Sequence, residues 1–274
     1  MGTVYRMKIA FIITVYKNDK LDFFKEAIES IVNQDYGFEN INIYLGIDGD
    51  LYRALEDYMA SHKELFYKIV KNDKNRGLAY TLNRLIDVLE DEEYIFRMDS
   101  DDICMLERVS KQVEYFQEDK DLLLLGTDLI EIDEEGKELR YKSMPTEKEE
   151  IIKFSIARNP FNHPTIAMRK EFFSKVGMYN ETILKSQDYE LWARALKKGI
   201  KCTNISHPLL KFRVASDYMT KRNSIVNYMN EFKISFSLMV HFKRYEQIFK
   251  ILAKLIIRMM PSFFGKIIYQ KIRV

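Results

Sequence analysis

Asp99-Ser100-Asp101-Asp102 places three carboxylates within four residues. Directly before it, Tyr94-Ile95-Phe96-Arg97-Met98 has the apolar content of a buried strand, which would deliver the acids to a strand end where little else neutralises them. Such carboxylates are hard oxygen donors and suit Mg²⁺ or Mn²⁺, which usually takes one or two of them together with substrate phosphates. Asp99 and Asp101 are two apart and on an extended strand would point the same way, so both could reach one ion and its diphosphate. A lone Asp-x-Asp reads first as a solvated acidic turn; the buried strand before it and the other polar clusters on the same rim favour the metal site here. A second carboxylate of interest, Asp188, opens a helical pattern, where local sequence alone favours a cap on the free N–H groups.

The elements that must carry these groups follow from periodicity. Lys8 to Val15 is nearly continuous in apolar residues and predicts a buried parallel strand. Leu21 to Val32 has helical spacing, Ile41 to Ile47 predicts a second strand, Tyr52 to Ser61 a helix and Tyr67 to Val70 a short strand. Asn75-Arg76-Gly77 is a turn opening a helix from Leu78 to Leu89, and the strand Tyr94 to Met98 runs into the acids. Strand and helix in strict alternation predict a parallel sheet with right-handed crossovers, and ligands sit beyond the carboxyl ends of its strands. Thr14 to Tyr16, Asp48 to Asp50 and Asp99 to Asp102 all fall at those ends.

Further on, the patterns predict helices over Arg108 to Phe116, Glu147 to Phe154, Lys170 to Val176 and Gln187 to Lys198, with strands over Leu122 to Ile132 and His163 to Met168. Residues 1–104 are expected to form a nucleotide-binding half, 105–215 an acceptor half of the same domain, and 216–274 a helical tail.

Composition excludes several classes. The chain has 274 residues, 47% of them hydrophobic and 31% charged, with a formal net charge of +2, so it is globular and carries no global sign of nucleic-acid binding. Cys104 and Cys202 form no close-spaced ligand pattern and are expected to be reduced thiols. No run approaches the roughly 20 apolar residues of a membrane span, and no secretory signal is visible, so the body is expected to be cytoplasmic. A metal–diphosphate site also admits a phosphatase or a nucleotidyltransferase. The first usually carries its Asp-x-Asp after the first strand, the second a Gly-rich basic loop there; Thr14-Val15-Tyr16-Lys17-Asn18 is neither.

Taken in order, seven segments resemble the family 2 glycosyltransferases. They are Phe11 to Tyr16, Ser30-Ile31-Val32-Asn33-Gln34, Gly46-Ile47-Asp48-Gly49, Asn75-Arg76-Gly77-Leu78-Ala79, Asp99 to Asp102, Asn162-His163-Pro164-Thr165 and Ser186 to Trp192. The resemblance spans roughly residues 7 to 215 and implies an α/β fold of the GT-A type: a mostly parallel, Rossmann-like central sheet flanked by helices, with an acceptor-side extension. It implies an inverting transfer of sugar from a nucleotide diphosphate, expected to be uridine-based, to a hydroxyl. Thr14, Tyr16 and Asp48 would hold the uracil and ribose, Arg76 and Asn83 would line the nucleotide pocket, Asp99 and Ser100 would contact the donor, and Asp101 would bind Mn²⁺ or Mg²⁺. Asp188 matches the family's catalytic base. His163, Trp192 and Arg213 fall on the acceptor side, although His163 reads equally as a buried, hydrogen-bonded histidine and Trp192 as core. Many relatives carry a histidine after a Tyr/Phe-Arg-Val segment; here Phe212-Arg213-Val214 is followed by Ala215, so a histidine ligand is not expected from it. A catalytically silent sugar-nucleotide binder of the same fold is the other reading.

Residues 241–274 hold eight lysines and arginines against Glu246 alone. Lys243, Lys250, Lys254 and Arg258 share one helical arc and Ile248, Phe249, Leu252, Leu255, Ile256, Met259 and Met260 the opposite one, with Pro261 ending the helix. A basic amphipathic helix suits an anionic membrane surface, with packing on the body as the alternative. A membrane-surface tail would fit a lipid-linked saccharide acceptor in polysaccharide or O-antigen assembly at the inner face of the cell membrane.

Overall fold

The computed structural model describes residues 7–214 and 225–259. β1 (Ile9–Val15), α1 (Leu21–Val32), β2 (Ile41–Ile47), α2 (Arg53–Ser61), β3 (Lys68–Lys71), α3 (Leu78–Asp87) and β4 (Tyr94–Met98) alternate as the periodicity predicts. Along β1 the residues divide by parity between two cores. Ile9, Phe11, Ile13 and Val15 pack with Phe24, Ala27, Ile28 and Ile31 of α1, while Ala10 and Ile12 pack with Ala79, Leu82, Leu85 and Ile86 of α3. A strand apolar on both faces needs such a helical layer on each side, and each fully buried Ile or Phe contributes about 1.5–3 kcal/mol.

β1 pairs in parallel with β2 and β4, and β2 with β3, giving the order β3-β2-β1-β4. The chain therefore winds outward from β1 and then returns to its other side. In open α/β sheets ligands bind at such a reversal, here beyond the carboxyl ends of β1 and β4.

β5 (Ile103–Cys104), α4 (Arg108–Glu118), β6 (Leu124–Ile132), β7 (Glu138–Lys142), α5 (Lys148–Ala157), β8 (Ala167–Arg169), α6 (Glu171–Val176), α7 (Gln187–Lys197) and β9 (Cys202–Arg213) complete the body, followed by α8 (Ile225–His241) and α9 (Ile248–Met259). The sheet continues β4-β8-β6-β9-β5, with β7 on β6. The expected α/β architecture is thus observed, and antiparallel pairing enters where β8 lies between β4 and β6.

Two sequence expectations need correction. His163 to Thr165 is a single 3-10 turn, and the strand is confined to Ala167–Arg169. Pro164 has no N–H to give a ladder, and the Thr165 N–H closes back on the Asn162 carbonyl (2.9 Å). Conversely β9 is a twelve-residue strand that the pattern does not announce, because Ser206-His207-Pro208 interrupts its apolar residues. The register against β6 shifts at Pro208, the bulge that lets a proline sit inside a sheet.

In the tail, Ile251 is buried and Ile248 packs on the core, while Phe249 is 79% exposed. One face of α9 therefore packs on the body. The side chains of residues 254–259 and all of residues 260–274, on which part of the tail reading rests, lie outside the described residues.

Candidate active site

At the first rim, Thr14 is partly exposed at the end of β1 opposite Gly46 of β2. The Tyr16 N–H donates to Asp19 Oδ2 (3.0 Å) as the chain turns away. At the end of β2 the Asp48 N–H donates to the Val15 carbonyl (2.9 Å). The Asp48 carboxylate accepts from Asn72 Nδ2 (2.9 Å), Arg76 N–H (2.7 Å) and Gly77 N–H (2.9 Å), which fastens the turn before α3 to the strand end. Gly49 follows at φ 91°, where a Cβ would meet the backbone nitrogen of Asn75 at 2.7 Å, so only glycine allows that approach. The Arg76 guanidinium lies outside, forked on Asp73 (both bonds 3.0 Å) and over the Tyr80 ring.

At the second rim four carboxylates face two guanidinium groups. Arg97, buried at the end of β4, forks onto both oxygens of Asp99. Such a charge is tolerated inside only when paired. Ser100 Oγ donates to Asp19 Oδ2 (2.8 Å), so Asp19 joins the cluster from the β1–α1 loop. The sequence reading missed Asp19, although an acid three residues beyond Tyr16 on the same strand end was a usable signal. Burial pushes the Asp19 carboxyl up to about 7, with the Asp101 and Asp99 charges adding to it against the hydrogen bonds from Tyr16 and Ser100. Burial, then the Asp99 charge, pushes Asp101 up to about 6, opposed by Arg97 and Arg213. Asp102 is fully buried and raised for the same reasons; its Oδ1 accepts from the Arg213 N–H (2.9 Å) and its Oδ2 has no partner in the protein. The donors are carboxylate oxygens throughout, the ligand type of Mg²⁺ and Mn²⁺. Among the described residues no three such groups already converge as a closed cage.

On the far side, Asp188 is the second residue of α7 and partly exposed. Its Oδ2 accepts from Asn159 Nδ2 (2.6 Å). Tyr179, buried, shares a hydrogen bond with His163 Nε2 (2.9 Å). Burial raises the pKa of this phenol; Arg97 opposes the rise, and Asp188 and Asp99 add to it. Neither Tyr179 nor Asn159 carries a local signal; tertiary contacts alone bring them in.

Four further residues named from the resemblance are buried, His163 and Trp192 as the alternative reading of each has it. Trp192 is fully buried, its ring 6.0 Å from each of Phe161, His163 and Phe172, and no acceptor can stack on it. His163 is 9% exposed and kept neutral by burial, with the Arg97 charge adding, so it supports Tyr179 in the wall. Arg213 is 4% exposed and braces the acidic loop: its Nε donates to the Asp101 carbonyl (3.0 Å), Nη1 to the Glu134 carbonyl (2.9 Å) and Nη2 to Glu26. Asn83 donates to the Tyr179 carbonyl (2.9 Å) and Glu181 (2.8 Å) and accepts from the Tyr179 N–H (3.0 Å), a clamp on the 179–181 loop.

A mixed central sheet flanked by helices, with an acidic cluster at the carboxyl ends of its parallel strands, is the GT-A arrangement. The sequence model for glycosyl transferase family 2 matches residues 10–177, and the chain belongs to that family of glycosyltransferases. It is 33% identical over 77% of its length, and 78% of the other chain, to the amylovoran biosynthesis glycosyltransferase AmsE of Erwinia amylovora. Over 97% of its length and 96% of the other it is 28% identical to the UDP-Gal:alpha-D-GlcNAc-diphosphoundecaprenol beta-1,3-galactosyltransferase of Escherichia coli. The fold is similar to that of S. aureus TarS 1-349 in complex with UDP-GlcNAc, with a TM-score of 0.67 at 15% identity, covering 92% of this chain and 72% of that one. The chain spans 43% of a longer TarS structure.

Proposed function

We propose that this glycosyltransferase moves a sugar from a UDP-sugar, with inversion, to a hydroxyl of a lipid-linked saccharide during polysaccharide or O-antigen assembly. The observation that carries the reading is the carboxylate cluster of Asp19, Asp99, Asp101 and Asp102 at the carboxyl ends of β1 and β4, together with the Asp188 carboxylate held by Asn159 at the start of α7. The uridine donor is supported by the UDP-GlcNAc complex of TarS, and the lipid diphosphate acceptor by the name of the Escherichia coli galactosyltransferase.

In this reading Thr14, Tyr16, Asp48 and the 75–77 turn take the nucleoside, with Arg76 swinging from exposed Asp73 to the donor. Ser100 and Asp99 take the donor sugar and its diphosphate. The raised carboxyls of Asp101 and Asp19 and the orphaned Oδ2 of Asp102 fit a hard cation, and Asp101 with Asp99 would hold Mn²⁺ or Mg²⁺. A bound cation would offset the charge that develops on the leaving diphosphate. Asp188, oriented by Asn159, accepts the proton of the attacking hydroxyl, and its carboxylate must lie within hydrogen-bond reach of that group. Phe249 and Leu252 stand exposed beside Lys250 on α9, and they would meet an anionic membrane surface at the inner face of the cell membrane.

The test is a donor panel of UDP-sugars with Mn²⁺ and membrane extract. Asp101→Ala abolishes metal-dependent UDP binding, whereas Asp188→Asn keeps UDP binding and lowers turnover by about 10²-fold or more. Full turnover in Asp188→Asn removes the base assignment. Inertness toward every donor favours a silent sugar-nucleotide binder. Pelleting of the full chain, but not of residues 1–240, with anionic vesicles supports the membrane contact; equal pelleting removes it.

A further inference from the structure

Ser186 stands at the N-cap of α7 with φ 68°, ψ 21°, in the left-handed region. N-cap residues ordinarily have extended backbone, and serine is favoured there because its hydroxyl accepts from the N–H groups of the first turn. Ser186 makes no such bond. Its Oγ instead donates to Oδ1 of Asn227 (2.7 Å), a buried residue of α8 forty-one positions away. A non-glycine residue in the left-handed region is strained and persists only where its surroundings hold it. Two residues on is Asp188.

α8 holds α7 at two further points. Tyr189 Oη meets Ser235 Oγ (3.1 Å), and Lys197 Nζ donates to Ser237 Oγ (2.6 Å). Tyr189 and Lys197 are anchored in regular helix, and neither bond acts on the strained residue. Asn227 alone among these reaches the turn that sets where the helix begins.

We infer that Asn227 is a positioning residue: by accepting the Ser186 hydroxyl it keeps that residue left-handed and so fixes the first turn of α7, and with it the Asp188 carboxylate, in line with Asn159. This rests on the reading of Asp188 as the base. The side chain is held from two sides, by Asn159 at its oxygen and by α8 through its backbone.

The test uses the full chain, Mn²⁺, UDP-galactose and UDP-N-acetylglucosamine, and follows UDP release with water as acceptor. Asn227→Ala is expected to lower kcat about tenfold, the scale of releasing one strained residue, with the donor KM and UDP affinity within a factor of two. Ser186→Ala removes the same bond and should match it. Adding Ser186→Gly to Asn227→Ala should recover most of the loss, because glycine enters the left-handed region without strain. A packing role for Asn227 predicts no such recovery. Wild-type kcat in Asn227→Ala, or a double variant no better than the single one, overturns the proposal. Failure of the base reading appears separately, as full turnover in Asp188→Asn or as inertness to both donors. The hold is then judged from a crystal structure of Asn227→Ala: residue 186 leaving positive φ supports it, and retention near 68° overturns it.

Discussion

Between Met7 and Cys104, Thr14, Asp48, Asp99 and Asp101 all lie within three residues of the carboxyl end of a strand, on one rim of the parallel part of the sheet. Between Met105 and Val214, His163, Trp192 and Arg213 are each less than 10% exposed and serve the wall or the core. The difference lies in how the two halves place a side chain. In a parallel sheet, position along the strand already says which rim a residue reaches, so a short motif and its element suffice. Where the sheet becomes mixed and the helices pack on one another, the same residue types are oriented by contacts far away in sequence.

That contrast can be broken or sharpened, beginning with the largest effect. Trp192→Ala should cost about 3–5 kcal/mol in urea unfolding, while the folded fraction keeps its UDP affinity. A stable variant that lost acceptor use would return Trp192 to the site. Asn83→Ala removes three hydrogen bonds to the 179–181 loop and should cost about 1–3 kcal/mol, again with UDP affinity intact. Weaker UDP binding at an unchanged melting temperature would place Asn83 in the nucleotide pocket instead.

A smaller effect concerns pH. Asp19 rises from 3.8 unfolded to about 7 folded, so the folded state binds that proton more tightly. Its contribution to stability is present below pH 3.8 and lost as pH climbs through about 7. The melting temperature of the metal-free wild type should therefore fall from pH 5 to pH 8 more than that of Asp19→Asn. Mn²⁺ at pH 8 should offset the fall in the wild type. Parallel curves for the two proteins would remove Asp19 from the cluster. The smallest effect is expected at Arg76, whose pairing with Asp73 is exposed: Arg76→Ala should leave the melting temperature unchanged and raise the donor KM several-fold. An unaltered KM would leave Arg76 a surface residue.

How much could be read beforehand follows the same division. Leu21–Val32 and Ile41–Ile47 match their predicted bounds because period and flanking turns agree. β9 was not legible, since Ser206-His207-Pro208 breaks its apolar pattern and the strand is held by its flanks, residues 202–205 and 211–213 pairing with β6 and 210–211 with β5. Asp188 was recognised through the Gln187 to Trp192 segment, but Asn159, 29 residues away, became its partner only through the fold. Arg213 was placed on the acceptor side through the Phe212-Arg213-Val214 segment of the resemblance; its guanidinium braces the 99–102 turn, the β6–β7 turn and α1.

The bonds that Asp48 makes have one more consequence. The helix that follows the 75–77 turn begins on a glycine, which has no side chain to offer, so its opening is anchored by a carboxylate lent from another strand. A substitution at Asp48 would therefore loosen the start of that helix as well as any hold on the nucleoside. Lost affinity in such a variant would measure local unfolding and missing contact together, and a probe meant for recognition alone belongs at Thr14 or Tyr16.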